Sequence, residues 1–188
     1  SKSKKVIFYF IFYDVTLSLA IFLDTYLSKN LTSRPSLPQL PVDPVLQERA
    51  RHFYSHLSEE ELKTLVSEVW LQIPLVFDPV VGIKEQPIKG TYVNITKDGY
   101  RVIQNQAKWP PPDNDFNVFV FGGSTTFGYG VTDYDTIPSY LQKTLRDNFS
   151  ARVNVYNFGR AFYNSTLEKK LFVQLINNDR IPDLAIFI

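Results

Sequence analysis

Short apolar runs and helical patterns alternate along the C-terminal half of the chain. Residues 118–121, 153–158 and 184–188 are rich in β-branched and aromatic side chains. Runs of this length and composition predict buried strands of a parallel sheet. A helical segment follows each of the first two runs, at about residues 137–148 and 165–177. The order strand, helix, strand, helix, strand predicts an α/β fold with short connections, as in a doubly wound sheet.

Signals at the helix ends support both helical segments. Thr136 is predicted to be the N-cap of the first helix, with Pro138 in its first turn. Leu141 and Leu145 of that helix are expected to face the sheet. Ser165 begins a Ser-x-x-Glu capping box, which predicts the start of the second helix.

The N-terminal region contains an apolar stretch at residues 6–23, long enough to cross hydrocarbon as a helix. Asp14 is its only charged residue. A buried helix or a cleavable signal peptide are alternatives, but aromatic residues on every face favour a retained transmembrane anchor over residues 1–29. Asp14 is expected either to face a partner helix or to be a tolerated single acid. Lys2, Lys4 and Lys5 precede the span, which places the N-terminus in the cytoplasm and the main domain outside, in a periplasm or lumen.

Two further segments separate this anchor from the α/β region. Residues 30–44 carry prolines every third position, which predicts an extended linker. Residues 45–91 are predicted to form a helical insert and a strap. The insert consists of two short amphipathic helices over residues 45–71, with a break near Leu57. The second helix starts at an N-cap, Ser58, which precedes three glutamates.

Composition excludes several classes of function. The 188 residues include 20 basic and 19 acidic side chains, so the net charge of +1 gives no reason to expect nucleic-acid binding. The absence of cysteine from the sequence excludes disulfides and thiolate sites. His52 and His56 are spaced to share one helix face, and a metal pair and a plain surface role are both open. No metal and no cofactor are predicted.

The main candidate for chemistry is a loop that follows the first apolar run. Gly122 and Gly123 allow a tight turn, so Ser124 is expected at the carboxyl end of a strand, where α/β sheets bind ligands. A phosphate-binding loop would need Lys after its last glycine, but Tyr129 follows Gly128. The spacing also fits poorly to a dinucleotide fingerprint and to the Gly-x-Ser-x-Gly elbow of other hydrolases.

Three stretches instead resemble one known family. The Gly-Gly-Ser-Thr sequence at 122–125, with residues 130–138 after it, resembles block I of the SGNH (GDSL-like) hydrolases. Residues 157–165 resemble block II, and residues 92–101 resemble the lead-in before block I in membrane-anchored bacterial members. The resemblance covers residues 92–188 and implies a three-layer, flavodoxin-like, doubly wound parallel sheet that is incomplete here. The Asn of block III and the Asp-x-x-His are not among these residues and are expected beyond Ile188.

In that family the chemistry is acyl transfer through a serine ester. The resemblance implies that Ser124 is the nucleophile and that the N–H of Gly159 helps to bind the oxyanion. It implies an esterase, deacylase or acyltransferase that acts on an acylated glycan or lipid. The alternative is a non-catalytic subunit that binds a membrane-protein partner. Gly159 could instead serve only a tight turn, and Arg101 is expected to hold the strap by bonding carbonyls or an acid.

Overall fold

The computed structural model describes residues 52–188. Contacts divide the chain into two units, Ser1–Phe53 and Tyr54–Ile188, and the account below concerns the second. The predicted transmembrane anchor at 6–23, with Asp14, the proline-rich linker at 30–44 and the start of the helical insert lie outside the described residues. Within residues 52–188, no helix is both long and apolar enough to cross a bilayer.

The described residues begin inside the predicted helical insert, at residue 52. Helix α1 spans Glu59–Ser67, and a π-helical turn, Glu68–Gln72, continues it. The Ser58 side chain caps α1 and forms a reciprocal capping box with Glu61, so the predicted start at Ser58 is confirmed. Residues 54–57 form a turn, which confirms the break near Leu57.

Four short strands lie between the helical insert and the main sheet, three of them in the predicted strap and the fourth just after it. Strands β1 (Leu75–Asp78) and β2 (Gly82–Glu85) form an antiparallel hairpin. Strands β3 (Ile88–Lys89) and β4 (Asn94–Ile95) form a second antiparallel pair. Arg101 makes single antiparallel bridges to β4 and to the sheet at Asn157. The strap is therefore attached to the main sheet through its backbone at Arg101.

The main sheet has three parallel strands, as the apolar runs predicted. Its strands are β5 (Phe116–Phe121), β6 (Val153–Asn157) and β7 (Leu184–Phe187), in the order β6-β5-β7. Val118 lies opposite Val155 on one side and Leu184 on the other. The last five residues of β5 are buried, because this strand has neighbours on both edges. The apolar run at residues 118–121 is therefore the centre of the sheet.

Helices follow the strands in the predicted order. They are the short helix α2 (Ser124–Phe127), α3 (Ile137–Asn148) and α4 (Ser165–Asn177). Leu141 and Leu145 of α3 pack with the valines of β5 and β6, as predicted. Leu171 and Leu175 of α4 pack with the aromatic side chains of the same strands. Burial of each such side chain contributes about 1.5–3 kcal/mol.

Both helix starts are confirmed, at Ile137 and Ser165, but the capping residue of the second helix was misplaced by one position. The Thr136 side chain accepts a hydrogen bond from the N–H of Ser139 and caps α3, as predicted. The predicted capping box at Ser165 is wrong. Asn164 is extended, with φ −128° and ψ 174°, and its side-chain oxygen caps the N–H groups of Thr166 and Leu167. Ser165 is the first helical residue.

Candidate functional site

Ser124 lies at the carboxyl end of the central strand, where the sequence placed it. It is the first residue of α2 and its side chain is exposed. The ends of the neighbouring strands meet at this edge: the N–H of Arg160 donates to the carbonyl of Gly122 at 3.0 Å, and the N–H of Ile188 donates to Phe121 at 3.0 Å. The serine hydroxyl is thus presented to solvent above the joined ends of three strands.

The loop after Ser124 folds back onto the serine backbone. Gly128 and Gly130 have φ of 91° and 93°, a region that side-chain-bearing residues rarely occupy. This geometry lets the N–H groups of Gly128 and Tyr129 donate to the Ser124 carbonyl, at 2.9 Å and 3.1 Å. The position of Ser124 therefore depends on the conformation of residues 128–130, which we call the glycine loop.

Arg101 holds the glycine loop from beneath. Its fully buried guanidinium donates to the carbonyls of Phe127 at 3.0 Å, Gly128 at 2.5 Å and Val131 at 2.6 Å. The guanidinium carbon also lies 4.9 Å from the centre of the Phe127 ring, a cation–π distance. The expectation that Arg101 bonds carbonyls or an acid is confirmed. Arg101 makes more contacts than expected, because it fixes the glycine loop as well as the strap.

Asp133 supplies the charge that compensates this buried cation. Its carboxylate accepts from Arg101 Nε at 3.0 Å and from the backbone and side-chain N–H groups of Asn94. Burial lowers the pKa of Arg101 and raises the pKa of Asp133, while the attraction between the two charges opposes both shifts. The backbone carbonyl of Asp133 accepts a hydrogen bond from the Ser139 hydroxyl, so Asp133 also holds the start of α3.

Gly159 lies at the end of β6, against the backbone of α2. A Cβ atom at this position would lie 2.3 Å from the backbone nitrogen of Phe127 and 2.7 Å from the carbonyl carbon of Thr126. The N–H of Gly159 donates to Asn157 Oδ1 at 2.9 Å. This contact gives the glycine a structural role, and the N–H would have to leave Asn157 in order to bind an oxyanion. Its part in an oxyanion site stays a prediction.

A second buried charge pair adjoins the loop. Glu85 and Arg160 are 3.3 Å apart and nearly inaccessible to solvent. The Glu85 carboxylate also accepts from the N–H of Ala161 at 2.7 Å and from the Tyr129 hydroxyl at 3.3 Å. Burial, followed by the charge of Glu85, raises the pKa of Tyr129. Tyr129 therefore stays a neutral donor that links the glycine loop to the β1–β2 hairpin.

A cavity of about 300 Å³ borders this pair on the side of α4. Its walls include Glu85 and Arg160, and the apolar part is formed by Val81, Leu171 and Leu175. The cavity is lined by residues of both the hairpin and α4.

The two histidines do not share a helix face, contrary to the prediction. His52 is helical, whereas His56 lies in the turn that follows, because the helix ends at Phe53, three residues before His56. His56 Nε2 lies 3.7 Å from Asp135, and its side chain is 56% exposed. Within residues 52–188, no three side chains of His, Cys, Asp or Glu are grouped so as to hold a metal ion.

Three residues that hold the glycine loop were not proposed from the sequence. Tyr54 and Glu85 contact the loop from distant segments, and Asp133 acts on it through Arg101. Only Asp133 lay inside a recognised motif. Its role as the partner of Arg101 could have been proposed, because a buried arginine needs an acid.

Comparison with known proteins returns no match, either among the models of protein families or among curated proteins. The likeness to SGNH hydrolases therefore rests on the motif residues of this chain alone.

Proposed function

We propose that this chain carries the nucleophile half of an SGNH-type serine esterase, deacylase or acyltransferase. The observation that carries the proposal is the exposed Ser124 at the carboxyl end of the central parallel strand. Ligands of open α/β sheets bind at this end, at the point where the strand order reverses. Arg101 holds the loop that follows Ser124, which supports a role for this hydroxyl as the nucleophile that attacks a bound ester.

The strand order supports the proposal of a flavodoxin-like, doubly wound sheet. The sheet runs second, first, third strand in sequence order, which is the beginning of the flavodoxin-like order. The reversal lies between β5 and β7, next to Ser124. We infer that the described region is the first part of a doubly wound, three-layer domain, with further strands to be added beside β7.

The proposed reaction is transfer of an acyl group through a serine ester. Ser124 Oγ attacks the ester carbonyl, the Oγ–carbon bond forms, and a base takes the hydroxyl proton. The Ser124 N–H and, after release from Asn157, the Gly159 N–H stabilise the oxyanion, each contributing about 2.7–4 kcal/mol. The alcohol then leaves with the proton. Water, or a second alcohol in a transferase, attacks the serine ester and regenerates Ser124.

The base that takes the serine proton is proposed from the same resemblance. In the family that the motifs resemble, it is a histidine that follows the serine in sequence and is held by an aspartate. The histidines of this sequence precede the serine, and His56 pairs with Asp135. We place the base, and the Asn of block III, in residues that follow Ile188 in a longer protein. The substrate class that we propose is an acylated glycan or lipid.

Labelling of the full-length protein with a fluorophosphonate probe tests this function. We expect covalent labelling of the wild type and its complete loss in Ser124→Ala. Ser150→Ala is a matched control, because Ser150 is also exposed but lies just before the start of β6, at the opposite end of the strands from Ser124. A folded full-length protein that never labels would refute the catalytic proposal.

A non-catalytic role is the second candidate, and two observations favour it. The N–H of Gly159 is already bonded to Asn157. Asp14, a single acid within the apolar stretch at 6–23, also fits a partner helix in the membrane. In this role the domain would bind a membrane-protein partner. Failure of labelling together with stable capture of such a partner would favour it.

We also propose that the chain is a single-pass membrane protein. The proposal rests on the apolar segment at 6–23 and on the lysines before it. The N-terminus would be cytoplasmic, and residues 54–188 would face a periplasm or lumen.

A further inference from the structure

The glycine loop is held by two different donors. Arg101 binds the carbonyls of Phe127, Gly128 and Val131, but the carbonyl of Gly130 is bound by another residue. The Tyr54 hydroxyl donates to it at 2.7 Å, across 76 positions of sequence. The contact is close, since a Cβ atom at Gly130 would lie 3.2 Å from the tyrosine oxygen.

The loop residue between the two glycines is fixed as well. The ring of Tyr129 lies 4.7 Å from the Phe127 ring and 5.3 Å from the Trp70 ring, between centres. Tyr129 and Tyr54 both pack against the buried cluster of Leu65, Val69 and Val93. The tyrosine rings therefore stand on one apolar base, formed largely by the helical insert.

These contacts give a short path from Tyr54 to the serine. The Tyr54 hydroxyl fixes the carbonyl of Gly130, and the N–H of Tyr129, which lies two peptide groups earlier in the same loop, fixes the carbonyl of Ser124 at 3.1 Å. Both glycines have φ near +90°, in a backbone region that is freely open to glycine, so these residues can change conformation at little cost when an external bond is lost. Loss of the Tyr54 bond would let the peptide of Gly130 rotate and would loosen the bonds to Ser124.

We propose that Tyr54 is a positioning residue for Ser124, which it orients through the glycine loop. The proposal rests on the proposed function of Ser124. It assigns the helical insert a role in the reaction, because the insert provides both the hydroxyl and the apolar base. Tyr54 acts through backbone atoms only and takes no part in proton transfer.

The Tyr54→Phe substitution distinguishes the contribution of the hydroxyl from the contribution of the ring. The variant keeps the packing on Leu65 and Val69 and removes one hydrogen bond, so the fold is retained. Tyr134→Phe is the matched control, because the Tyr134 ring is 67% exposed and lies outside the glycine loop. Both variants are made in the full-length protein.

Amide hydrogen exchange gives a readout that does not require activity. In Tyr54→Phe we expect the N–H groups of Gly128 and Tyr129 to exchange about five-fold faster, the factor that corresponds to one ordinary hydrogen bond. Amides of β5 should keep their wild-type rates, and Tyr134→Phe should leave all these rates unchanged. Wild-type exchange at Gly128 and Tyr129 in Tyr54→Phe would overturn the proposal.

The labelling rate gives the second readout. Varying the concentration of the fluorophosphonate separates probe binding from the covalent step. We expect Tyr54→Phe to slow the covalent step about five-fold and to leave the concentration for half-maximal rate unchanged. A wild type that labels at Ser124 and a Tyr54→Phe variant that labels equally fast would overturn the positioning role alone. A wild type that does not label would overturn the function of Ser124 and, with it, the positioning role.

Discussion

Arg101 Nε lies 3.0 Å from Asp133 Oδ1, and the two side chains are 0% and 6% exposed. The pair joins the strap, the glycine loop and the start of α3. A buried charge that loses its partner typically costs 3–5 kcal/mol, which is roughly the stability of a small domain. The glycine loop, which fixes the backbone of Ser124, is therefore held by an ion pair that is inaccessible to water.

We predict that Arg101→Met lowers the free energy of unfolding by about 3–5 kcal/mol, because Asp133 is left buried without its cation. Chemical denaturation measures the change. Arg152→Ala is the control. Arg152 also bonds an aspartate but is 65% exposed, so its loss should cost less than about 1 kcal/mol. A decrease of less than about 1 kcal/mol in the free energy of unfolding of Arg101→Met would contradict the proposed role of the Arg101–Asp133 pair.

Gly159→Ala should destabilise the domain by about 1–3 kcal/mol, because its Cβ would overlap backbone atoms of α2 that cannot move aside. Gly123→Ala is the matched substitution in the same region. Its Cβ would lie 3.4 Å from the nearest atom, the Tyr163 carbonyl, and the φ of −79° suits alanine. Thermal unfolding of both variants should give the larger loss at Gly159. Equal losses would argue against the close approach of β6 and α2.

The β1–β2 hairpin should weaken at low pH. A hydrogen bond from the Lys84 ammonium at 2.6 Å, followed by the N–H of Val80, holds the pKa of Asp78 at about 2. The unfolded value is about 3.9. The stabilisation is therefore complete above about pH 4 and is lost as the pH falls towards 2. It amounts to at most about 1 kcal/mol, because water screens the half-exposed Lys84.

Carboxyl chemical shifts measured against pH would test this behaviour. The Asp78 carboxyl should titrate near pH 2 in the wild type and at higher pH in Lys84→Met. A wild-type midpoint near pH 4 would show that the bond to Lys84 does not persist in solution.

We predict that the full-length protein sediments with membranes and that residues 54–188 are protected from protease added on the cytoplasmic side. Opening of the vesicles should expose them. A variant that lacks residues 6–23 should appear in the soluble fraction. Recovery of the intact wild type in that fraction after membranes are removed would contradict the anchor.

The sequence was informative wherever a local signal fixed the structure. The three strands follow from their apolar runs, and the starts of α1 and α3 follow from Ser58 and Thr136. The position of Ser124 at a strand end follows from the two glycines before it. Arg101 could be predicted to bond carbonyls or an acid, because buried guanidinium groups require several acceptors.

Structure that depends on long-range pairing was missed. The β1–β2 hairpin lies in a proline-rich stretch without alternating polarity, so its register had no local signal. Glu85 and Arg160 pair across 75 positions, a separation over which sequence spacing carries no information. The cap of α4 was misplaced because Asn164 and Ser165 are both good caps, and only the extended backbone at Asn164 decides between them.

The central place of β5 has a consequence for biosynthesis. Its two neighbours both follow it in sequence, and Asn117 meets Asp183 across 66 positions. During translation, Phe116–Phe121 leaves the ribosome with neither partner strand made. This segment has no charge and no proline, a composition typical of aggregation-prone strands. The strand that carries the serine must therefore be shielded, by a chaperone or by α3, until the chain has been synthesised as far as β7.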